Sequence, residues 1–351
     1  MKKILIALVA AISFSACSTE IEVNAEWKDV TVVFGLLDVS DTIQYIKISK
    51  AFLGEEDAFV MAQEPDSLYY SPGAITAVLE EYKNGNLTKT IVLNRDETVP
   101  KDSGVFASPN QVIYSTTEPL DQNASYKLVI NKGNDPADVV TAETQIVNTF
   151  SWKGDLGKPF WEVHFAGSDN TAEELYFQTA QNGRLYETHV RFYYMEESRF
   201  DKSDTVLKFV DWKLDNITSS NLEGTQVLGN DVVGSNFYRL IDSRLDPDPT
   251  VWRHPRHIDV SVYVASDEFA TYLNVNQPSS SIAQERPTYT NIENGEGLLG
   301  SRISKIREGV ELTHRSHDSL QCGRFTNDLS FVSYFWDNVN DVHIDTIRIC
   351  Q

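Results

Sequence analysis

The sequence contains few basic residues for its length. Of its 351 residues, 30 are lysine or arginine and 51 are aspartate or glutamate, so the formal net charge is -21. Such a charge repels phosphate backbones and anionic lipid head groups at long range. We therefore expect no nucleic-acid partner and interpret the acidity mainly as a source of solubility, with attraction to cationic or calcium-rich surfaces as the alternative.

Long hydrophobic runs are also lacking. Lys2 and Lys3 precede an apolar run at residues 4–12, which small residues separate from Cys17. The run is too short to cross a bilayer as a stable helix, because a spanning helix needs about 20 apolar residues. The pattern instead predicts a cleaved lipoprotein signal peptide at residues 1–16.

The Phe-Ser-Ala-Cys motif that ends at Cys17 resembles a bacterial lipobox, in which the cysteine is acylated and becomes the first mature residue. Several acyl chains on one cysteine suffice for stable anchoring. We predict lipidation of Cys17, a membrane attachment through this anchor, and a lipidated tether at residues 17–28. The alternative is an ordinary secretory signal with an incidental cysteine.

Cysteine is scarce, with three in the chain. Once Cys17 carries lipid, Cys322 and Cys350 form an even pair in an oxidising compartment, which favours a disulfide. Closing that loop would stabilise the fold by roughly 3 to 4 kcal/mol in the loop-entropy model. The alternative is two unrelated buried thiols.

The first half of the chain contains short alternating or β-branched runs at the spacing of a β-sandwich. Leu120 and Tyr126 have the spacing of the tyrosine corner in fibronectin-type and other Ig-like sandwiches. We predict an Ig-like, fibronectin-like β-sandwich at residues 29–148. Its irregular segment at residues 53–72 is either a functional insertion or a solvated loop that rests its aromatic side chains on the sandwich.

The second half, residues 149–351, is predicted to be a β-rich C-terminal domain with one or two short helices. The helical segments are NFYRLIDSRL near Asn236 and SDEFATYLNVN, where Ser266 or Asp267 can serve as the N-cap. Two Asn-Gly pairs, at Asn84 and Asn182, each predict a tight hairpin turn. The whole chain is therefore expected to be mainly β.

Residues 291–301, NIENGEGLLGS, contain Gly295, Gly297 and Gly300 in the order of a dinucleotide-binding fingerprint. That motif requires a buried strand before it and a helix after it. Here the preceding segment is polar and contains Pro287, and the following SRISKIREGVEL alternates as a strand does. The glycines therefore predict a turn with close backbone approach rather than a nucleotide site.

Two segments, VVFGLLDVSDTIQYIKISKAFLG and NIENGEGLLGSRI, together with the lipobox, resemble a Bacteroidetes outer-membrane lipoprotein family, domain of unknown function forty-two forty-nine. The resemblance spans essentially the mature chain. The family has no established activity, and its genes often lie beside those for TonB-dependent outer-membrane transporters. The resemblance thus implies an outer-membrane lipoprotein, on the periplasmic or surface face, with such a transporter as a partner.

Motifs that carry chemistry are lacking. The sequence contains no G-x-S-x-G elbow, P-loop or EF-hand loop, and its histidine clusters, at His254 and His257 and at His314, His317 and Asp318, lack the H-E-x-x-H pattern. We expect these histidines to be structural and predict no catalytic residue, cofactor or metal. Asp followed by Ser or Thr and an apolar residue, as at Asp41, resembles an O-glycosylation sequon or simply begins a turn.

Two functions remain open at this point. The first is a non-enzymatic cell-envelope lipoprotein that assists a TonB-dependent transporter or binds its substrate. The alternative is a surface-anchored hydrolase whose acidic residues converge in an interdomain cleft, since a glycosidase needs two opposed carboxyl groups.

Overall fold

The computed structural model describes residues 30–51, 57–133, 135–166, 172–276, 288–337 and 342–346. The predicted signal peptide, Cys17, the tether and Cys350 lie outside this part of the chain. Within it the chain is mainly β, as predicted, with a few short helices.

The strands of the first half are β1 (Thr31–Leu37), β2 (Gln44–Lys50), β3 (Thr76–Lys83), β4 (Asn86–Val92), β5 (Asn94–Pro100), β6 (Asn110–Thr116), β7 (Ser125–Asn131) and β8 (Val139–Gln145). Those of the second half are β9 (Ser151–Trp152), β10 (Ala172–Gln178), β11 (Leu185–Ser198), β12 (Thr205–Lys213), β13 (Ile217–Thr218), β14 (Val227–Val233), β15 (Val251–Ala265), β16 (Ile292–Glu293), β17 (Gly295–Glu311), β18 (Ser333–Asp337) and β19 (Val342–Thr346). The helices are α1 (Ala58–Met61), α2 (Pro65–Leu68), α3 (Gly234–Arg244), α4 (Asp267–Val275) and α5 (His314–Cys322), with 3-10 turns at Pro136–Asp138 and Gly154–Gly157.

One large mixed sheet runs through both halves of the chain. Its strand order is β12-β11-β15-β17-β1-β2-β6-β5, and β13 pairs with β11. A second sheet, β16-β8-β7-β3-β4, shares a hydrophobic core with β1, β2 and β6. Smaller sheets are β14-β10-β9 and β18-β19. The first half is therefore two sheets packed on one core, as the alternating sequence predicts.

Strand β17 belongs to both halves. Its first residues pair in parallel with β1, from Thr31 opposite Gly295 to Leu37 opposite Ser301, and its later residues pair with β15. The buried Leu299 joins the core of the first half, whereas the buried Ile303 joins a core of the second. A segment from late in the chain thus completes the sheet that begins with its first described strand.

The block NIENG moves the chain from one sheet to the other. Ile292 pairs with Ala142 of β8, and three residues later Gly295 pairs with β1 of the opposite sheet. Asn294 makes this change of direction in the left-handed conformation, with φ of 57°, and its side-chain amide donates to the Val139 carbonyl at 2.9 Å. The turn therefore lies at Asn294, and the prediction that the glycines form it is wrong, because Gly295, Gly297 and Gly300 lie within strand β17.

The glycines allow close approach, as predicted. A Cβ atom on Gly297 would lie 2.0 Å from the Val33 carbonyl oxygen, and its φ of +114° disfavours any other residue. Asn291 ties the segment before β17 to that strand, because its side chain accepts from the Leu299 amide at 3.0 Å and donates to the Leu299 carbonyl at 2.7 Å. The motif therefore brings β17 close to β1 through Gly297 and holds the preceding segment through Asn291.

The Asn84 turn is confirmed. Asn84 and Gly85 have φ of 51° and 75° and join β3 to β4, which pair with each other. The hairpin predicted at Asn182 is wrong, because β10 and β11 pair with other strands in different sheets. Asn182 does have a left-handed conformation, with φ of 64°. The chain there passes from one sheet to another, and the Tyr186 hydroxyl accepts from the Ala180 amide in this crossing at 2.8 Å.

Tyr126 has the contacts of a tyrosine corner. Its ring is buried in the first core, and its hydroxyl accepts from the Asp121 amide at 2.7 Å, five residues upstream. The same hydroxyl donates to the Glu81 carboxylate at 2.7 Å. Leu120 packs against the same core. The predicted spacing therefore corresponds to a buried polar link between strand β7 and the loop before it.

Both predicted helices are present. Helix α3 covers the segment near Asn236, and α4 begins after Ser266, whose side chain accepts from the Phe269 amide. Helix α5 was not predicted from the sequence. Its apolar content is low, and it is held instead by buried polar contacts such as the Ser316 hydroxyl, which accepts from the Phe165 amide at 2.9 Å.

Candidate functional site

Helix α4 lies against β17, on the large sheet, where the two halves meet. The Ser266 amide donates to the Ser301 carbonyl at 2.9 Å, and the Ser301 amide donates to the Ser266 hydroxyl at 3.2 Å. Gly300 lets the helix approach, since a Cβ atom there would lie 3.2 Å from the Phe269 Cβ. The buried Ser301 also accepts from the Val147 amide at 2.9 Å. The helix is therefore fixed relative to both cores.

Two cavities adjoin beside α4, and together we call them the α4 groove. One, of about 360 Å³, lies towards β1 and β2 and contacts Phe34, Tyr45 and Tyr272; the other, of about 420 Å³, lies towards β11 and β15. They share Asp41, Phe269 and Arg302 as lining residues. Volumes in this range are those of typical small-molecule sites.

The shared part of the α4 groove carries a cation between two acids. The Arg302 Nε atom lies 3.8 Å from an Asp38 carboxylate oxygen, and its terminal nitrogen lies 3.5 Å from Asp41. Asp38 is buried, and its other oxygen accepts from the Ser40 amide and hydroxyl at 2.9 and 2.6 Å. One positive and two negative side chains leave this region with a net negative formal charge, so it disfavours an anionic ligand and suits a neutral polar one.

Glu187 lies at the β11 end of the groove. Burial opposes its ionisation, but hydrogen bonds from Lys213 and His189 outweigh that effect and lower the pKa of its carboxyl below the ordinary value. The His189 Nε2 atom is 2.6 Å from that carboxylate, and its ring meets Tyr263 edge-on at 5.4 Å. Glu187 is therefore an ionised hydrogen-bond acceptor, not a proton donor, at neutral pH.

Aromatic side chains give the α4 groove its apolar surface. Phe34, Tyr45 and Tyr263 are each between 42 and 46% exposed, and Phe34 meets Tyr272 edge-on at 6.1 Å. Exposed rings with polar groups between them are suited to flat or ring-shaped ligands, because the rings supply area with little conformational entropy.

The histidine clusters do not form a metal site among the described residues, where no group of three or more metal-ligating side chains is found. His254 and His257 both lie on β15, where an irregularity in the pairing with β11 falls between them. His254 is buried 3.4 Å from the Glu197 carboxylate, whereas His257 stacks on Tyr193 at 4.7 Å. Pro255 lies within that strand, beside an irregularity in its pairing with β11.

The second cluster lies on α5. His314 and His317 are one turn apart there, with the Asp318 carboxylate 4.0 Å from the His314 ring. Burial, and then the neighbouring His314, lower the pKa of His317 to about 4, so His317 is neutral at physiological pH. Cys322 ends the same helix, and its predicted partner Cys350 lies outside the described residues, so the disulfide stays a prediction.

Sequence reasoning found α4 and its apolar face but not the charged groups beside it. Asp41 was noted only as a possible glycosylation or turn residue, and Arg302 only as part of an alternating strand. No local sequence pattern indicates that Asp41 and Arg302 lie close together, since they are 261 positions apart. The segment at residues 53–72 contributes Leu68, Tyr69 and Tyr70, which are buried against the first core.

Comparison with protein-family models finds no match for this chain, and comparison with curated proteins finds none either. The resemblance to the lipoprotein family therefore stays a prediction. In the part of the chain that the structure describes, no helix is both long and apolar enough to cross a membrane.

Proposed function

We propose that this protein is a lipid-anchored outer-membrane lipoprotein that binds, without catalysis, as an accessory partner of a TonB-dependent transporter, and that the α4 groove is its binding site. The observation that carries the proposal is the groove itself, with exposed rings around the ion-pair cluster of Arg302, Asp38 and Asp41. A groove at the meeting point of two rigid cores presents such groups in fixed positions.

The state of the acids favours binding over hydrolysis. A glycosidase needs one carboxyl whose pKa is raised so that it donates a proton, opposed to a second, ionised carboxylate. The pKa of Glu187 is instead lowered, so Glu187 does not meet the requirement for the proton donor. Burial does raise the pKa of Glu173, but Glu173 is not among the residues that line the α4 groove. The lowered pKa of Glu187 therefore argues against Glu187 as the proton donor of a surface hydrolase.

We also propose that the first half is an Ig-like sandwich. Its support is the shared core of two sheets and the Tyr126 contacts to Asp121 and Glu81. An Ig-like module would hold the α4 groove away from the membrane, at the end of the lipidated tether. The long strand β17 would make the module continuous with the second half.

The accessory role is tested by affinity purification of the tagged protein from native membranes, with its partners identified by mass spectrometry. We expect a TonB-dependent transporter in the eluate of the wild type. The double variant Tyr45→Ala, Tyr263→Ala removes two exposed rings of the groove and should lower the recovery several-fold. The matched control is Phe200→Ala, which removes a ring that is 85% exposed and outside the groove. Recovery of the chain alone from wild-type membranes would reject the accessory role.

The anchor is tested separately. We expect Cys17→Ala to release the protein from the membrane fraction into the soluble envelope fraction, because the acyl chains that hold it are absent. Mass spectrometry of the wild-type N-terminal peptide should show acylation of Cys17. An unmodified wild-type peptide, with the variant still bound to membranes, would show that the anchor is not this cysteine.

A further inference from the structure

A third cavity, which we call the Lys47 cavity, lies on the outer face of β1 and β2. Its volume is about 420 Å³. Its apolar walls come from the two strands and from two segments that cross them, and its polar side chains are two lysines, Ser49 and Tyr69. The main lining residues are Phe34, Leu68, Tyr69, Phe106, Lys47 and Lys50.

The ammonium groups at this cavity have no carboxylate partner among the described residues. Lys50 donates to the Asp66 carbonyl at 2.6 Å, and its Nζ atom lies 5.9 Å from the Tyr70 ring centre. The neighbouring Lys101 donates to the Ala107 carbonyl at 3.3 Å and lies 5.2 Å from the Phe106 ring centre. All of these partners are neutral, so the positive charge of these lysines is not compensated by the described residues.

Lys47 is the least compensated of these lysines. Within the described ranges its Nζ atom has no hydrogen-bond or ion-pair partner, and the side chain is only partly exposed. Burial, and then repulsion from Lys101, lower the pKa of its ammonium group below the ordinary value. An anion placed at Lys47 would relieve both effects, since opposite charge favours the ammonium form.

The placement of these lysines is unusual for this protein. The chain as a whole has a formal charge of -21, with acidic residues far outnumbering basic ones. None of the described residues lining the Lys47 cavity is acidic. The cavity therefore combines an apolar body with a local positive potential, and that combination is complementary to a molecule with an apolar body and one anionic head.

We propose that the Lys47 cavity binds a small amphiphilic carboxylate. Its carboxylate accepts hydrogen bonds from the Lys47 ammonium group, and its aliphatic body lies against Phe34, Tyr69 and Phe106. A charge-assisted hydrogen bond orients the head, and burial of the chain supplies most of the affinity. The Lys47 cavity and the α4 groove are two different cavities that both contact Phe34. The carboxylate proposal does not depend on the transporter proposal.

The test is calorimetric titration of the full chain carrying Cys17→Ser, which is purified without detergent, with decanoate as the probe. We expect saturable binding at one site. Decanol and decyltrimethylammonium, which have the same chain with a neutral and a cationic head, should bind about tenfold more weakly or less. Inorganic phosphate, which has the charge without the chain, should not bind measurably. Equal affinity for decanol, or no saturable decanoate binding, would overturn the proposal.

Variants identify the site. Lys47→Met should weaken decanoate binding by about tenfold or more, and Lys47→Arg should restore most of it. The control is Lys89→Met, which removes a more exposed lysine that is already paired with Glu118. Equal effects of Lys47→Met and Lys89→Met would assign the binding elsewhere.

A measurement on the unmodified side chains keeps the test independent of variant folding. Decanoate should protect Lys47 from acetylation by acetic anhydride, whereas Lys89 should react equally with and without decanoate, as peptide mass spectrometry would show. Unchanged acetylation of Lys47 at saturating decanoate would overturn the assignment.

Discussion

Replacing Gly297 by alanine tests whether the glycine motif is structural. Gly297 has φ of +114°, and a Cβ atom there would lie 2.0 Å from the Val33 carbonyl oxygen and 2.9 Å from its carbon. Both atoms are backbone, so no side-chain rotation can relieve the contact. Strands β1 and β17 would have to separate at the point where they pair.

The magnitude follows from two terms. An L-residue in a positive-φ conformation costs about 1 to 2 kcal/mol. Overpacking against a rigid neighbour adds about 1 to 3 kcal/mol or more. We therefore expect Gly297→Ala to lower the free energy of unfolding by about 4 kcal/mol. That is a large part of the roughly 5 to 15 kcal/mol that stabilises a typical domain.

Gly309 supplies the matched control. It also has positive φ, at +67°, but a Cβ atom there would meet nothing within 4 Å. Gly309→Ala should therefore cost only the conformational term, about 1 to 2 kcal/mol. Urea denaturation followed by tryptophan fluorescence measures both variants. Equal destabilisation by the two substitutions would refute the steric argument for Gly297.

Two further predictions concern stability, and a third concerns the disulfide. Tyr126→Phe removes a hydroxyl that donates to the buried Glu81 carboxylate and accepts from the Asp121 amide, although Thr88 still donates to Glu81. It should cost about 1 to 3 kcal/mol in urea denaturation; a cost near zero would contradict the role of the corner. Because the pKa of His317 falls to about 4 on folding, the unfolded chain binds a proton first as pH drops below about 6.5, and stability should decline by up to about 3 kcal/mol between there and about pH 4. His317→Gln should flatten that decline, and an unchanged slope would assign it to other groups. Non-reducing peptide mapping should find Cys322 linked to Cys350, whereas free thiols at both would exclude the bridge.

Local patterns in this sequence predicted local structure well. Alternation of apolar residues identified most strands, and Ser266 before an apolar face identified α4, because side-chain period and capping act over a few residues. The Asn84 pair predicted its hairpin for the same reason. The Asn182 pair failed, since an Asn-Gly turn specifies a change of direction and not which strands pair afterwards.

Long-range pairing was not predictable from the sequence alone. That β17 pairs with β1, and that Arg302 reaches Asp41, depends on contacts between the two ends of the chain. Helix α5 was missed because Leu320 is buried there beside the polar Ser316 and Gln321, and periodicity of apolar residues does not show so mixed a face. The candidate site combines these long-range contacts, so sequence patterns indicated only its apolar half.

The shared strand β17 also limits the order in which the chain can fold during its synthesis. When a ribosome has released β1 through β8, those strands still lack the neighbour that covers one edge of β1, because that neighbour starts at Gly295. An unpaired strand edge is a place where a partly made chain can pair wrongly or aggregate. Pairing across so long a stretch of chain also slows folding, because the entropy of closing the loop is lost before the stabilising contacts form. The first half of this protein therefore reaches its final form only after nearly the whole chain has been made.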